Sequence, residues 1–287
     1  MKTEQLLLIR LLVQEYRERH PGCGMAKMYD QLSLDFIGRD KFIERLKDLG
    51  LQREKPRTRL RTTIPGAIRW PNLIEGMLLS DINQVWQTDI TYFIIGQTHY
   101  YMIFIIDVYS KKIISYKVSR TMHAINNIKC LKRAIRQRGL ENLNRLIHHS
   151  DLGSQFTSFN YMEILIRNNI KKSMGEKGQD NAYAERINGT IKNEYLMYRN
   201  IENFGQLKRW TKQAVTHYNE IRIHQHLPGK ISPTNFEKKL LTLSYKERPK
   251  EVIYAKQNEK VKYDECLLNS FSIKELNRML CPLYQDY

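Results

Sequence analysis

The chain has 287 residues with 41% hydrophobic content, enough for one large domain or two modest ones with real cores. Forty-seven Lys+Arg against thirty Asp+Glu leave a formal charge of +17, which points to a polyanionic partner. No stretch approaches the roughly 18 to 20 apolar residues of a membrane span, and the first residues lack the zones of a secretory signal. Cys23, Cys130, Cys266 and Cys281 lie far apart with no Cys-x-x-Cys pair, so they read as reduced thiols in an intracellular chain. The histidine pairs His148-His149 and His224/His226 lack cysteine partners at ligand spacing, which argues against structural zinc.

Residues 2 to 19 alternate apolar and charged positions at helical spacing and are stopped by His20-Pro21-Gly22-Cys23-Gly24. A second helix is expected over Met25 to Leu34. A third runs from about Arg39 to Leu49 and is closed by Gly50. Three short helices with glycine turns fit a small all-α helix-turn-helix domain over residues 1–51, although a plain helical hairpin used for packing gives the same pattern. Residues 52–80 follow as a basic linker. Arg53, Lys55, Arg57, Arg59 and Arg61 are interspersed there with prolines and threonines, a composition suited to lying along phosphates.

From Trp86 the period changes to two. Gln87 to Ile95, a turn at Gly96-Gln97, Tyr100 to Tyr109, a turn at Ser110-Lys111-Lys112, and Ile113 to Val118 read as an antiparallel meander. A helix over Met122 to Arg138, a strand Arg145 to His149, a helix Ser158 to Asn168 and a strand Ile170 to Ser173 complete an α/β arrangement. Three antiparallel strands followed by alternating helices and strands match an RNase H-like mixed five-stranded sheet flanked by helices. That catalytic core is expected over residues 81–242, with a further helix over Phe204 to Tyr218. Residues 243–287 form an extension of unknown role, with short elements expected at 251–254, 260–263 and 272–280.

Asn181 to Glu194 reads as a helix that packs Ala182, Ala184, Ile187 and Ile191 and leaves Glu185, Arg186, Asn188 and Lys192 for polar work. Charged helix positions are usually solvated surface, but Glu185 keeps company with two earlier aspartates. Asp89 lies in Trp86-Gln87-Thr88-Asp89-Ile90-Thr91. Asp151 ends an apolar strand before Leu152-Gly153, where open α/β sheets hold their sites. Two aspartates at sheet level and a glutamate on a covering helix suit a pair of Mg²⁺ ions and in-line displacement at phosphorus.

These motifs resemble the integrase-core transposases of the insertion-sequence-three family, a bacterial branch of the DDE transposases and retroviral-type integrases. The resemblance rests on Trp86 to Thr91, His149 to Phe156, Lys177-Gly178-Gln179-Asp180-Asn181-Ala182 running into Ala184-Glu185, and Tyr218-Asn219 with Arg222, His224, Ser232 and Pro233. It implies a catalytic and metal-binding triad at Asp89, Asp151 and Glu185. Two Mg²⁺ ions, with Mn²⁺ as a substitute, would serve there, Asp89 bridging both. It further implies cleavage at an element's end followed by attack of the 3′-hydroxyl on a new strand. The partner is double-stranded DNA, both terminal inverted repeats and target. Lys177, Asn181 and Asn188 are expected beside it, together with Arg186, Lys192, Arg222 and His224; Arg39, Arg45 and Lys47 are candidates for groove contacts. At least a dimer on DNA is expected, in the bacterial cytoplasm at the nucleoid. In that family the full transposase is often a frameshift fusion with an upstream helix-turn-helix and leucine-zipper protein, so that protein is an expected partner, with this chain either fused to it or acting as the downstream product alone.

Three departures stand out. The Asp151-to-Glu185 interval is shorter than the family's usual one, Leu152 replaces a common polar residue, and Ile223 replaces a usual proline. Two rival readings remain at this stage: a non-catalytic DNA-binding regulator or relic, and another RNase H-like nuclease such as a junction resolvase. The intact acidic triad favours the transposase over the first. The amino-terminal helices and basic linker favour it over the second.

Overall fold

The computed structural model describes residues 3–53, 70–175 and 178–253. Lys55, Arg57, Arg59, Arg61, Lys177, Cys266, Cys281 and the elements expected at 260–263 and 272–280 lie outside the described residues.

Three helices open the chain: α1 (Thr3–Arg19), α2 (Met25–Leu32) and α3 (Arg39–Asp48). They close over a small core of their own, Ile9, Val13, Cys23, Met28, Ile37, Phe42 and Leu46, each fully or nearly fully buried. Asp40 in the first turn of α3 and Arg45 and Lys47 in its last turn complement the helix dipole.

The main sheet is built from β2 (Val85–Ile95), β3 (Thr98–Asp107), β4 (Ile113–Ser119), β5 (Ile147–Ser150) and β6 (Lys171–Met174). Their spatial order is β4-β3-β2-β5-β6. The first three pair antiparallel as a meander, with Gly96 at φ 58° in the β2–β3 turn where a side chain would be strained. β5 and β6 run parallel to β2, an order that crosses over and defines the RNase H-like mixed sheet. The helices between them are α4 (Ala124–Arg138) and α5 (Phe159–Arg167).

Strand alternation divides the core into two layers. Trp86, Ile90, Ile103 and Ile105 face α4 and α5. Phe93, Met102, Phe104 and Ile106 face α6 (Ala182–Thr190), the π-helical turn Ile191–Leu196 that continues it, and α7 (Phe204–Glu220). A third cluster lies at one end of the sheet and includes Phe236 and Leu240 of α8 (Pro233–Leu240).

Two expected boundaries move. Residues 70–79, expected within the linker, pack against the core: Ile74 and Leu79 are buried, and Leu73 N–H donates to Ser173 Oγ at 2.9 Å. The start of the carboxyl-terminal extension also belongs to the core. Within it, β7 (Glu251–Val252) pairs antiparallel with β1 (Leu78–Leu79), Ile253 is buried, and Tyr109 Oη donates to the Pro249 carbonyl at 2.6 Å. Among the described residues, no helix is long and apolar enough to cross a membrane.

Candidate active site

The parallel pairing of β2 with β5 sets Thr88 opposite Ser150. The next residue on each is an aspartate, so Asp89, within β2, stands beside Asp151, which directly follows the last residue of β5, on neighbouring strands about 4.8 Å apart. By alternation, Gln87 and Asp89 face α6. Gln87 anchors that helix: its Oε1 accepts from the Tyr183 and Ala184 amides at 3.1 and 3.2 Å, while its Nε2 donates to the Asp180 carbonyl at 3.1 Å. Two of the helix's unpaired amino-terminal N–H groups are thereby satisfied by a buried side chain. Asn181 adds a second tie, its Nδ2 donating to the Thr88 carbonyl at 3.0 Å. These bonds hold α6 over the two aspartates.

Asn188, buried on α6, donates from Nδ2 to Asp89 Oδ2 at 2.8 Å, and the Ile90 amide donates to Oδ1 at 2.8 Å. The Gly153 amide donates to Asp151 Oδ1 at 3.1 Å. A Cβ on Gly153 would stand 3.0 Å from that oxygen, so the turn after Asp151 has little room for a side chain. Glu185 is exposed at the start of α6, one helical turn before Asn188.

The electrostatics tie the three acids together. Burial, then the charges of Asp151 and Glu185, push the Asp89 carboxyl up to about 8 against the offsetting bonds from Ile90 and Asn188. Burial and the Asp151 charge likewise raise Glu185. Three like charges crowd one another, as in sites that work with a counter-ion. The donor set is all carboxylate oxygen, which suits a hard divalent cation such as Mg²⁺. As the side chains stand, no three acid, histidine or cysteine groups among the described residues close on a single point to chelate an ion. Asp89 and Asp151 are turned toward Asn188 and the Ile90 and Gly153 amides instead.

The remaining expected contacts divide in two. Arg186 is exposed on α6, Lys192 is half-buried with its ammonium 4.9 Å from the centre of the Tyr92 ring, and Arg53 stacks over Tyr198 at 5.4 Å. Arg39 and Arg45 are exposed or half-exposed on α3, with Asp40 and Asp48 as partners at 3.2 and 2.8 Å, and Lys47 is exposed there. These groups reach the surface. Arg222 does not. Its guanidinium lies inside the protein, donating from Nε and Nη2 to Glu194 at 3.1 and 3.0 Å, so the expected DNA contact is an internal ion pair. His224 is buried too, in the wall of a cleft of about 410 Å³ on the flank of α6 with Arg186, Lys111 and Tyr183. Asn181 and Asn188 serve the scaffold of the acids rather than an open surface. Ala182, expected to pack, is exposed because the helix begins there.

Sequence reasoning missed Gln87, although it stands in the same motif as Asp89, and missed Lys172. The Lys172 ammonium is buried beside the Asp151 strand end, donates to Ser150 Oγ at 2.5 Å, and is lowered by burial to about 7. His148 and His149 are internal, bonded to the hydroxyls of Tyr161 and Ser173 at 2.6 and 2.9 Å.

Residues 80–180 match an integrase core domain family, and residues 168–233 match a second family of the same description. A 31 kDa uncharacterized protein of insertion element IS600 from Shigella sonnei is 31% identical over 249 residues, covering 83% of this chain and 89% of that protein. The transposase for insertion sequence element IS629 from Shigella sonnei is 30% identical over 229 residues, 78% of this chain and 76% of that one. A Mycobacterium tuberculosis protein of element IS986/IS6110 is 33% identical over 164 residues, 54% of this chain and 58% of its own length. Among solved structures, the HTLV-2 integrase catalytic core domain in complex with magnesium is similar at 21% identity and a TM-score of 0.44, over 58% of this chain and 99% of that one.

Proposed function

Because this chain belongs to the integrase-core transposases of the insertion-sequence-three family, we propose that it moves an insertion sequence by cutting and rejoining DNA strands at Asp89, Asp151 and Glu185. The observation that carries this reading is the β2–β5 register, which sets the two aspartates side by side beneath the helix that bears the glutamate. The substrate is double-stranded DNA, at the element's terminal repeats and at the target.

The carboxylates of Asp89, Asp151 and Glu185 would hold divalent cations, two Mg²⁺ ions or Mn²⁺ in their place. Bound there, such ions would make a water or a 3′-hydroxyl more acidic and would steady the leaving 3′-oxygen. The protein's own part is positional. Asn188 and the Ile90 amide fix the Asp89 carboxylate, the Gly153 amide fixes Asp151, and Gln87 and Asn181 keep α6 in place so that Glu185 faces them. Arg186 and Lys192, on the same helical stretch, are placed to take phosphates of the bound strand. Two element ends must be held together, so the working form is at least a dimer on DNA, in concert with a protein encoded upstream on the same element.

A strand cleavage and joining assay on element-end DNA with Mg²⁺, with the upstream protein supplied, compares the wild type with Asp151→Ala. Loss of both steps in the variant with DNA binding retained is the expected result. Equal activity in the two proteins overturns the assignment. Binding without cleavage by the wild type favours the regulator reading instead.

A further inference from the structure

Beyond Glu185, the same helical stretch carries a second carboxylate with a different environment. Glu194 lies in the π-helical turn that continues α6. Its Oε2 accepts from His20 Nε2 at 2.7 Å and from Arg222 Nε at 3.1 Å. Its Oε1 accepts from Arg222 Nη2 at 3.0 Å and Lys27 Nζ at 3.3 Å. Its backbone carbonyl accepts from the Gly22 amide at 2.6 Å. One residue therefore gathers donors from the end of α1, the turn after it, α2 and the segment after α7.

The fit around it is close. The His20 ring stacks on Tyr195 at 4.4 Å with an interplanar angle of 3°. A Cβ on Gly22 would stand 2.4 Å from a Tyr198 ring carbon and 2.6 Å from Glu194 Cα, so only glycine lets the α1–α2 turn touch this helix. Gln31 of α2 accepts from the Ile223 amide at 3.3 Å, and Arg199 donates to the Glu18 carbonyl, which extends the same seam. A π turn within a helix is uncommon and tends to mark a functional place.

We infer that Glu194 is a positioning residue that locks the amino-terminal three-helix unit to the helix carrying Glu185, so that how the unit sits on DNA sets where Glu185 stands among the active-site acids. The inference rests on the transposase reading for its link to catalysis, but not for the mechanical link. It also gives the π turn a purpose. The turn offers Glu194 to the helical unit while Asn188, further back on the same stretch, still reaches Asp89.

Two variants loosen the seam without touching an active-site residue: Gly22→Ala, which wedges it, and Lys27→Met, which removes one partly exposed donor. Lys27→Arg is the conservative control. Single-turnover cleavage is measured at saturating element-end DNA, with affinity for the same DNA measured separately and amide hydrogen exchange followed in the DNA-free proteins. The expected result is unchanged affinity with a cleavage rate about ten-fold or more lower in Gly22→Ala, less so in Lys27→Met, and wild-type in Lys27→Arg; small displacements of reacting groups have effects of this size. Peptides spanning residues 182–196 should exchange faster in the two loosening variants while β2 and β3 stay protected. A wild-type cleavage rate in both variants overturns the inference, as does a rate loss that merely follows weaker DNA binding. If the wild type itself does not cleave, the transposase reading fails, and unchanged exchange at 182–196 then rejects the mechanical link independently.

Discussion

Glu185 and Glu194 stand little more than two turns apart on one helical stretch and hold opposite electrostatic positions. Glu185 feels the Asp151 charge, which together with burial raises its pKa. Burial alone would raise Glu194 as well, but the His20 hydrogen bond with Arg222 and Lys27 outweighs it and holds that carboxyl well below the usual range. One carboxylate is left wanting a cation. The other already has two, with His20 as third donor, whose pKa burial lowers. On the proposed reading the same side chain serves chemistry in one place and architecture in the other, and its neighbours decide which.

The greatest loss is expected from removing an active-site acid. Asp89→Asn or Asp151→Ala should lower strand cleavage by about a hundred- to a thousand-fold, the scale on which charge-stabilising groups act, while the thermal midpoint holds or rises because a like charge has gone. Cleavage kinetics paired with calorimetry check both halves. Glu194→Ala should do the reverse of that second half. It leaves the Arg222 guanidinium buried and unpaired, at about 3–5 kcal/mol of stability, read by urea unfolding. The ion pair's contribution is present above the ordinary glutamate pKa and fades as pH falls below it toward the depressed folded value, so the variant and wild type should converge in acid.

Asn188→Ala comes next. It frees the Asp89 carboxylate that Asn188 orients, and the loss of such a supporting bond lowers activity by about ten- to a hundred-fold. A smaller effect sharpens the metal side. Asp89 binds its proton more tightly folded than unfolded, so without metal its contribution destabilises the fold progressively as pH rises from its ordinary range to about 8. Mg²⁺ should therefore raise the thermal midpoint more at pH 8 than at pH 5, and hardly at all in Asp89→Asn. The smallest effect belongs to the surface: Lys47→Ala should weaken DNA binding and reduce the salt slope of the affinity by about one.

The meander was legible because its period of two and the Gly96 turn are local signals; the three acids are proposed because each sits in a distinctive short motif. The fold order followed from those strands and the alternating elements after them. Other features had no local signal. Leu78–Leu79 and Glu251–Val252 pair from opposite ends of the core as two-residue strands, too short for any period. Arg222 was misread because a basic residue in sequence does not say whether its partner is a phosphate or a carboxylate 28 residues earlier. Gln87 was overlooked because an uncharged amide suggests no chemistry until the helix amides it receives are seen. The first turns of the extension look like a tail, yet Arg248 pairs with Asp81, and Lys111 pairs with Glu251 at 2.6 Å.

On the proposed reading, three acids distant in the chain share one cation-binding place. Fe²⁺ with ascorbate, substituted for Mg²⁺, generates radicals that cut the polypeptide beside the bound ion. Fragments ending near Asp89, Asp151 and Glu185, all suppressed together by excess Mg²⁺, are the predicted result. Cuts confined to other parts of the chain, or cuts at these three positions that excess Mg²⁺ leaves untouched, would contradict it.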